Sequence, residues 1–443
     1  MSNYGHHFFA SAAATLLVAS AATAQLLPAL PLPSVGGPVG QLPVAGPVLQ
    51  QLLGSPDARQ VISPTLDSVA GVPERVAGAG QATLLDLRRL RLQQLIKEHR
   101  GELEAAEGGV PVRRGLLVAL DPDPVSLALA ARAGFRVVGE TSDAELGMRI
   151  VQLAVPRNLS AREALRRLSR AAPALQADYD HIYEPAGGAL LPFAGSAVAQ
   201  GVGGGARPRI GMVDGGVAAH PSLASASIDQ HGFAGAPRAT GHGTAVASLI
   251  VGSHGAFQGA ARDASLLVAD VYGGSRSAGS ATAIVKALGW LASKRPQVVN
   301  ISLVGPSNRL VQRAIAAVHA RGISVVAAVG NDGPAAPPQY PASYPGVIAI
   351  TGVDASGKAL LEAGKATHLD FAAPGADMAA AMPGQGYARV RGTSFAAPLA
   401  AARLALAGSP QRLAAEARPG KGRVGRGIVC SSCRVAPKAV GAK

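Results

Sequence analysis

Residues 208–351 alternate short apolar runs with segments of helical spacing, and this alternation limits the fold more than any other feature of the sequence. Continuous apolar strands are typical of a parallel sheet that helices cover on both faces. The candidate strands are residues 210–213, 266–272, 298–303, 324–329 and 347–351, and the candidate helices are residues 281–294 and 309–320. We therefore predict an α/β domain over residues 208–410.

Four polar residues stand at strand ends or helix starts in this region. Asp214 follows one apolar strand and Asn331 closes another, whereas His242 and Ser394 each precede an apolar helical stretch. Because reactive groups in open α/β sheets gather at the carboxyl ends of the strands, we expect the four side chains to meet. The sequence therefore predicts one site built from four distant segments.

The four residue types fit acyl transfer. A serine hydroxyl is a weak nucleophile until a base takes its proton, and an imidazole does this near neutral pH. A carboxylate holds the imidazole in the right tautomer, and the side-chain amide of Asn331 with the N–H of Ser394 would stabilise an oxyanion. Any one of these residues alone would more simply be a strand-end or helix cap, but the whole set favours hydrolysis by a serine nucleophile.

In their order along the chain, these motifs resemble those of the subtilisin-type serine peptidases, over about residues 207–410. The resemblance is extended by four more segments, His220-Pro221, Asn300-Ile301-Ser302-Leu303, Tyr340-Pro341-Ala342 and Ala373-Pro374-Gly375. It implies a catalytic triad of Asp214, His242 and Ser394 and an oxyanion hole of Asn331 and Ser394. It also implies a substrate-binding strand at Ser302, Leu303 and Val304.

The chain departs from the family pattern at two positions. Gly215 stands after the aspartate where Ser or Thr is usual, and Val304 stands where Gly is usual. Gly215 removes a hydroxyl that would support the aspartate, and Val304 adds a branched side chain where substrate is expected to pair. Every reacting group is nevertheless present, so the predicted function is that of a serine endopeptidase. The alternative is a catalytically silent binding module of the same fold that acts on anionic surfaces.

Residues 115–185 have the pattern of a small α+β unit with the order βαββαβ, which gives a ferredoxin-like sheet with two helices on one face. The family resemblance implies that this unit is a propeptide, a partner that assists folding and fills the active-site cleft through its C-terminal segment. The Gly-rich residues 186–207 would then be the processing linker of a zymogen. A fused domain that is never removed is the alternative.

The first 114 residues divide into three segments. Residues 1–24 have an apolar core and end in Ala-Thr-Ala, which predicts a signal peptide and a secreted or periplasmic protein, with a short membrane anchor as the alternative. Residues 25–80 are a Pro- and Gly-rich low-complexity linker. Residues 81–114 are predicted as a basic amphipathic helix, for which binding to a membrane surface is the alternative.

The net charge of +14 lies in the second half of the chain. Residues 1–200 hold 17 basic and 17 acidic residues, whereas residues 201–443 hold 24 and 10, and residues 411–443 form a basic C-terminal tail. With 4% aromatic residues and no interleaving of basic and aromatic side chains, nucleic-acid binding is excluded. The charge favours acidic protein or peptide substrates, or an anionic cell-envelope surface, as partners.

The two cysteines, Cys430 and Cys433, lie in this tail. In an exported protein their spacing favours a local disulfide. A zinc site would need two more ligands, and a redox pair usually needs a βαβ setting that is absent here. We expect no metal and no certain cofactor, because calcium is implied by the family resemblance only and no acidic cluster has a recognisable ligand spacing.

Overall fold

The computed structural model describes residues 81–186, 207–384 and 386–442, with side chains from Leu84 onward. All of these residues belong to one compact unit. The predicted signal peptide, the low-complexity linker and residues 187–206 of the processing linker lie outside the described residues. Within the described ranges, no helix combines the length and apolarity needed to cross a membrane.

Residues 81–186 form a helix followed by a small antiparallel sheet with two further helices. The elements are α1 (Gln81–Glu98), β1 (Leu103–Ala105), β2 (Pro111–Leu120), α2 (Pro124–Arg132), β3 (Arg136–Asp143), β4 (Met148–Ala154), α3 (Ala161–Ala171), β5 (Gln176–His181) and β6 (Glu184–Pro185). The sheet runs in the order β5-β2-β4-β3, and β1 pairs with the first residues of β2. From β2 to β5 the element order is βαββαβ.

Local signals define both helices of this sheet unit. The Asp123 side chain accepts a hydrogen bond from the Ser126 N–H at the start of α2, with proline in the first turn. Ser160 and Glu163 form a capping box at the start of α3. The prediction of helix through residue 114 is wrong, because the chain turns after Glu98, where the Leu103 N–H donates to the His99 carbonyl at 2.8 Å, and continues as β1.

Residues 209–415 alternate strands and helices. The elements are β7 (Arg209–Asp214), β8 (Ser227–Gly232), α4 (Gly241–Val251), β9 (Ser253–His254), β10 (Phe257–Gln258), β11 (Ser265–Asp270), α5 (Ala281–Lys294), β12 (Val298–Ile301), β13 (Leu303–Val304), α6 (Arg309–Ala320), β14 (Ser324–Ala328), β15 (Ile348–Val353), β16 (Phe371–Pro374), β17 (Met378–Met382), β18 (Gly386–Val390), α7 (Thr393–Ala407) and α8 (Pro410–Ala415).

Seven of these strands form one parallel sheet in the order β16-β15-β14-β12-β7-β11-β8. Met212 of β7 packs in a core with α4 and α7, whereas its neighbour Val213 packs in a second core with α5 and α6. Helices therefore cover both faces, which confirms the predicted α/β fold. The two edge strands, β8 and β16, were not predicted, because β8 is largely polar and β16 is only four residues long.

The predicted basic C-terminal tail, residues 411–443, is described to residue 442 and packs against the domain. Val429 donates its N–H to the Ala372 carbonyl of β16 at 2.8 Å, and Ala379 of β17 donates to the Val435 carbonyl at 2.9 Å. A disulfide joins Cys430 to Cys433 in this segment. The segment therefore lies along two strands of the domain, because its backbone satisfies groups that those strands leave free.

Candidate active site

Asp214 and His242 form a buried hydrogen-bonded pair. Asp214 ends β7 and is fully buried, and its Oδ1 lies 2.9 Å from Nδ1 of His242, the second residue of α4. The same oxygen accepts the Gly215 N–H at 2.7 Å. A carboxylate at Nδ1 favours the tautomer that carries its proton there, which leaves Nε2 of His242 free to accept a proton.

Two glycines allow this approach of helix to strand. A Cβ on Gly243 would overlap the carbonyl oxygen of Gly215, so α4 reaches the loop after Asp214 only with glycine at that position. A Cβ on Gly215 would in turn overlap the Thr240 hydroxyl, which caps α4 by accepting the Gly243 N–H at 3.0 Å. Thr240 therefore occupies the space where most family members carry a side chain at residue 215.

Ser394 is the second residue of α7 and is fully buried. Its Oγ and the His242 Nε2 are buried and have no hydrogen-bond partner among the described residues. The two side chains belong to packed helices, and the His242 ring lies 5.3 Å from the ring of Phe395, the residue next to Ser394. Buried polar groups without a partner are rare, and two of them on packed helices are candidates for a functional role.

Asn331 follows β14 and is held by the start of α7. Its Oδ1 accepts the Thr393 N–H at 3.0 Å, and the Thr393 hydroxyl donates to the Gly330 carbonyl at 3.2 Å. Gly330 has φ of 89°, which the turn into Asn331 requires. Because Oδ1 is engaged, the Nδ2 group of Asn331 is the donor that a ligand would meet.

The predicted substrate-binding strand already has a neighbour. Ser302 precedes β13, and its hydroxyl donates to the Ser394 carbonyl at 2.9 Å. Residues Leu303 and Val304 pair antiparallel with β6, and the Ala186 N–H donates to the Ser302 carbonyl at 2.9 Å. The end of the N-terminal unit, by which we mean residues 81–186, therefore lies along this strand, and Val304 pairs with Glu184 although glycine is usual at that position.

Residues 183–186 lie in a cleft between two segments of the chain. One wall is the predicted substrate-binding strand, and the opposite wall, at Gly279, was not predicted from the sequence. The Tyr183 N–H donates to the Gly279 carbonyl at 2.7 Å, so the segment 183–186 lies between Gly279 and residues 302–305. The Tyr183 side chain is fully buried, and its hydroxyl donates to the Pro306 carbonyl at 2.9 Å. A Cβ on Gly279 would overlap the Tyr272 ring, a constraint that becomes visible only in three dimensions.

Helix α1 contacts the residue after Asn331. Asp332 is paired with Arg88 at 3.0 Å and with Arg91 at 3.0 Å, and Arg91 also reaches Glu184 at 3.2 Å. Burial by itself lowers the pKa of Arg91, but the carboxylates of Glu184 and Asp332 outweigh it and raise that pKa above its usual range. Two basic side chains of α1 thus pair with acidic groups of the protein.

Carboxylates of β5 contact the starts of two helices. Asp180 accepts the Thr282 N–H of α5 at 2.9 Å, and Asp178 accepts the Arg309 N–H of α6 at 2.9 Å. Anionic groups at helix N-termini satisfy donors that the helix leaves free. Burial raises the pKa of Asp180, whereas its hydrogen bond with Thr282 acts in the opposite direction. These contacts place β5 against the helices that flank the cleft.

The remaining predicted site residues lie elsewhere. Cys430 and Cys433 belong to the segment beside β16 and β17, and the described structure shows no hydrogen bond between them and the site residues. Across the described ranges, no group of three or more His, Cys, Asp or Glu side chains could hold a metal ion.

The sequence is similar to known proteins over this same region. A model of the subtilase family matches residues 205–416. Subtilisin Savinase of Lederbergia lenta is 33% identical over 204 residues, which are 45% of this chain and 75% of that protein. The chain belongs to the subtilase family. Subtilisin DY of Bacillus licheniformis is likewise 33% identical, over 46% of this chain and 77% of its own length.

Other subtilases are matched over a smaller share of their own length. The chain spans about half, 53%, of the alkaline protease of Alkalihalobacillus alcalophilus, at 33% identity over 45% of this chain. Among solved structures, fervidolysin from Fervidobacterium pennivorans, a keratinolytic enzyme related to subtilisin, has a TM-score of 0.59 at 18% identity over 75% of this chain and 62% of its own. That likeness concerns the fold, and the family match begins after the N-terminal unit.

Proposed function

We propose that this subtilase is an exported serine endopeptidase that cleaves peptide bonds through Asp214, His242 and Ser394. The observations that support this best are the buried 2.9 Å hydrogen bond between Asp214 and His242 and the buried, unpaired His242 Nε2 and Ser394 Oγ on two packed helices. Export rests on the pattern of residues 1–24.

The residues have complementary roles in this reaction. Ser394 Oγ attacks the carbonyl carbon of the substrate while its proton passes to His242 Nε2, and Asp214 stabilises the imidazolium that forms. The resulting oxyanion accepts hydrogen bonds from Asn331 Nδ2 and the Ser394 N–H. The C–N bond then breaks, His242 protonates the leaving amine, and water releases the acyl group from Ser394 by the same route.

We further propose that the chain is made as a zymogen that cuts itself. Two hydrogen bonds link the end of the N-terminal unit to the nucleophile, from the Ala186 N–H to the Ser302 carbonyl and from the Ser302 hydroxyl to the Ser394 carbonyl. We infer from these two bonds that Ala186 is the residue whose following peptide bond Ser394 attacks. The first bond of the 186–207 linker is therefore the expected cleavage site.

After that cleavage, the N-terminal unit would remain in the cleft as a bound product. The pairing of β6 with β13, the buried Tyr183 and the ion pairs of α1 all act on the acyl side of the cut bond. Cleavage and release are therefore separate steps. The alternative of a permanently fused domain predicts no cleavage at all.

The test compares the purified full chain with Ser394→Ala. We expect the wild type to acquire a new N-terminus at Gly187 and to react with a serine-directed fluorophosphonate, whereas Ser394→Ala should stay intact and unlabelled. Ser293→Ala changes an exposed serine of α5 and should behave as wild type. Equal processing of the wild type and Ser394→Ala would contradict self-cleavage, and an intact, unlabelled wild type would favour a binding module.

A further inference from the structure

We propose that Arg276 makes the cleft selective for an acidic side chain at the third residue before the cleaved bond, with Ala186 counted as the first. This inference rests on the proposed function, and in particular on the register of residues 183–186 in the cleft. It assigns a substrate preference to a residue outside the proposed catalytic groups.

The third residue is Glu184, whose side chain meets two arginines. Its Oε1 lies 3.2 Å from Arg276 Nη2, and its Oε2 lies 3.2 Å from Arg91 Nε. The Glu184 side chain is 10% exposed and that of Arg276 is 26% exposed. Because the backbone of Glu184 is paired with Val304, the carboxylate position is set by the cleft.

The two arginines belong to parts of the chain that the expected cleavage would separate. Arg91 belongs to α1 and would leave with Glu184, whereas Arg276 lies between β11 and α5 and stays with the proposed catalytic residues. Within the described ranges, Glu184 is the acidic side chain that forms an ion pair with Arg276. Release of the N-terminal unit would therefore leave the Arg276 guanidinium without this partner, and a substrate carboxylate would replace it.

The segment that carries Arg276 also forms the cleft wall. The Ser275 N–H donates to the Tyr272 carbonyl at 2.9 Å, and the Ser275 and Ser277 hydroxyls are 2.8 Å apart, so Arg276 lies in a hydrogen-bonded turn. Three residues later, the Gly279 carbonyl accepts the N–H of Tyr183. One short segment therefore pairs with the substrate backbone and contacts the neighbouring side chain.

The test uses protein that has processed itself and has been separated from its N-terminal unit by gel filtration, with three internally quenched peptides that contain Tyr-Xaa-Pro-Ala before the cleaved bond. Xaa is Glu, Gln or Lys, and Gln is the uncharged reference of the same shape as Glu. We expect kcat/KM for the Glu peptide to exceed that for Gln by about two- to five-fold, the range of a partly exposed ion pair, with Lys below Gln. The Glu preference should weaken as the salt concentration rises.

Variants of Arg276 assign the preference to this residue. Arg276→Gln should bring the ratio of Glu to Gln close to one, Arg276→Lys should keep most of it, and Arg276→Glu should favour the Lys peptide. Only ratios within each enzyme are compared, so a change in overall rate does not matter. Arg262→Gln removes an arginine whose side chain is 58% exposed and pairs with its neighbour Asp263, so it should keep the wild-type ratio.

Each outcome decides the matter. Equal rates on the three peptides, or a Glu preference that survives in Arg276→Gln, would overturn the role of Arg276 while the peptidase function stands. Failure of the wild type to cleave any of the peptides would overturn the proposed function, and this inference with it.

Discussion

The two sheets of this molecule are buried in different ways. Strands of the parallel sheet such as β12 are buried along their whole length by helices from residues 241–407. In the antiparallel sheet, Val151 of β4 packs with the helices of its own unit, whereas its neighbour Ile150 packs in the core that contains α5 and α6. The parallel sheet is therefore complete within its own region, but the N-terminal sheet covers its second face only by docking.

Because of this difference, catalysis and docking are expected to depend on different parts of the molecule. The groups proposed to react lie at the ends of strands and helices around the parallel sheet, so changes there should alter catalysis and leave docking intact. The face of the antiparallel sheet that docks on the parallel-sheet region contains none of the groups proposed to react. Changes on this face should therefore alter docking and leave catalysis intact. Substitutions on either side of this division test it.

The largest effect in this comparison is expected from Asn331→Leu. Loss of the Nδ2 donor should lower kcat by roughly 100- to 1,000-fold, because the oxyanion loses one of its two hydrogen bonds. Peptide hydrolysis measures the loss, and thermal unfolding checks that the fold is intact. A loss of kcat/KM that comes from a higher KM alone would contradict the division between the two sheets. Faster loss of the N-terminal unit from this variant would contradict it as well.

An intermediate effect is expected from Ile150→Ala, which removes a side chain that is 2% exposed at the docking face. Large-to-small changes of this kind cost about 2–4 kcal/mol, and here the cost falls on the docked state. After self-cleavage, gel filtration should show faster loss of the N-terminal unit than in the wild type.

Val151→Ala is the matched control for Ile150→Ala, because it changes the next residue, on the opposite face of β4. Val151→Ala should lower the stability of the N-terminal unit itself, which would be measured as a lower unfolding temperature of that unit. If both variants released the unit at the same rate, docking would not depend on which face of the sheet is changed.

The smallest effect is expected from Arg88→Gln, which removes one ion pair between α1 and Asp332. The Arg88 side chain is 17% exposed and Asp332 is 6% exposed, but Asp332 keeps its ion pair with Arg91, so the expected loss is about 1 kcal/mol. Release of the unit should accelerate by less than about ten-fold. Arg89→Gln removes an arginine that is 66% exposed and pairs within α1, so it should have no effect on release.

The sequence predicted best what the chain determines locally. Helices α5 and α6 were predicted at their observed limits, because capping residues and long apolar periodicity mark both of them. The four candidate site residues could be proposed from the sequence because each stands in a short motif at an element boundary. The edge strands β8 and β16 escaped prediction, since a polar or very short strand has no pattern of its own.

Contacts between distant segments could not be predicted. Strand β6 is two residues long and exists through its pairing with β13. Glu184 and Arg276 are 92 residues apart, and nothing near either residue indicates the other. The end of α1 was misplaced because charged residues continue beyond Glu98, although a turn at His99 starts a strand. In each case tertiary packing supplies the information.

The pairing of β6 with β13 inside one chain has a consequence for the timing of maturation. If Ser394 cuts the bond after Ala186, each molecule holds its first substrate at an effective concentration fixed by the fold and not by the amount of protein. The first cut would then be a unimolecular event with a half-time that dilution does not change. The rate of maturation would therefore be the same in a dilute solution as in a concentrated one.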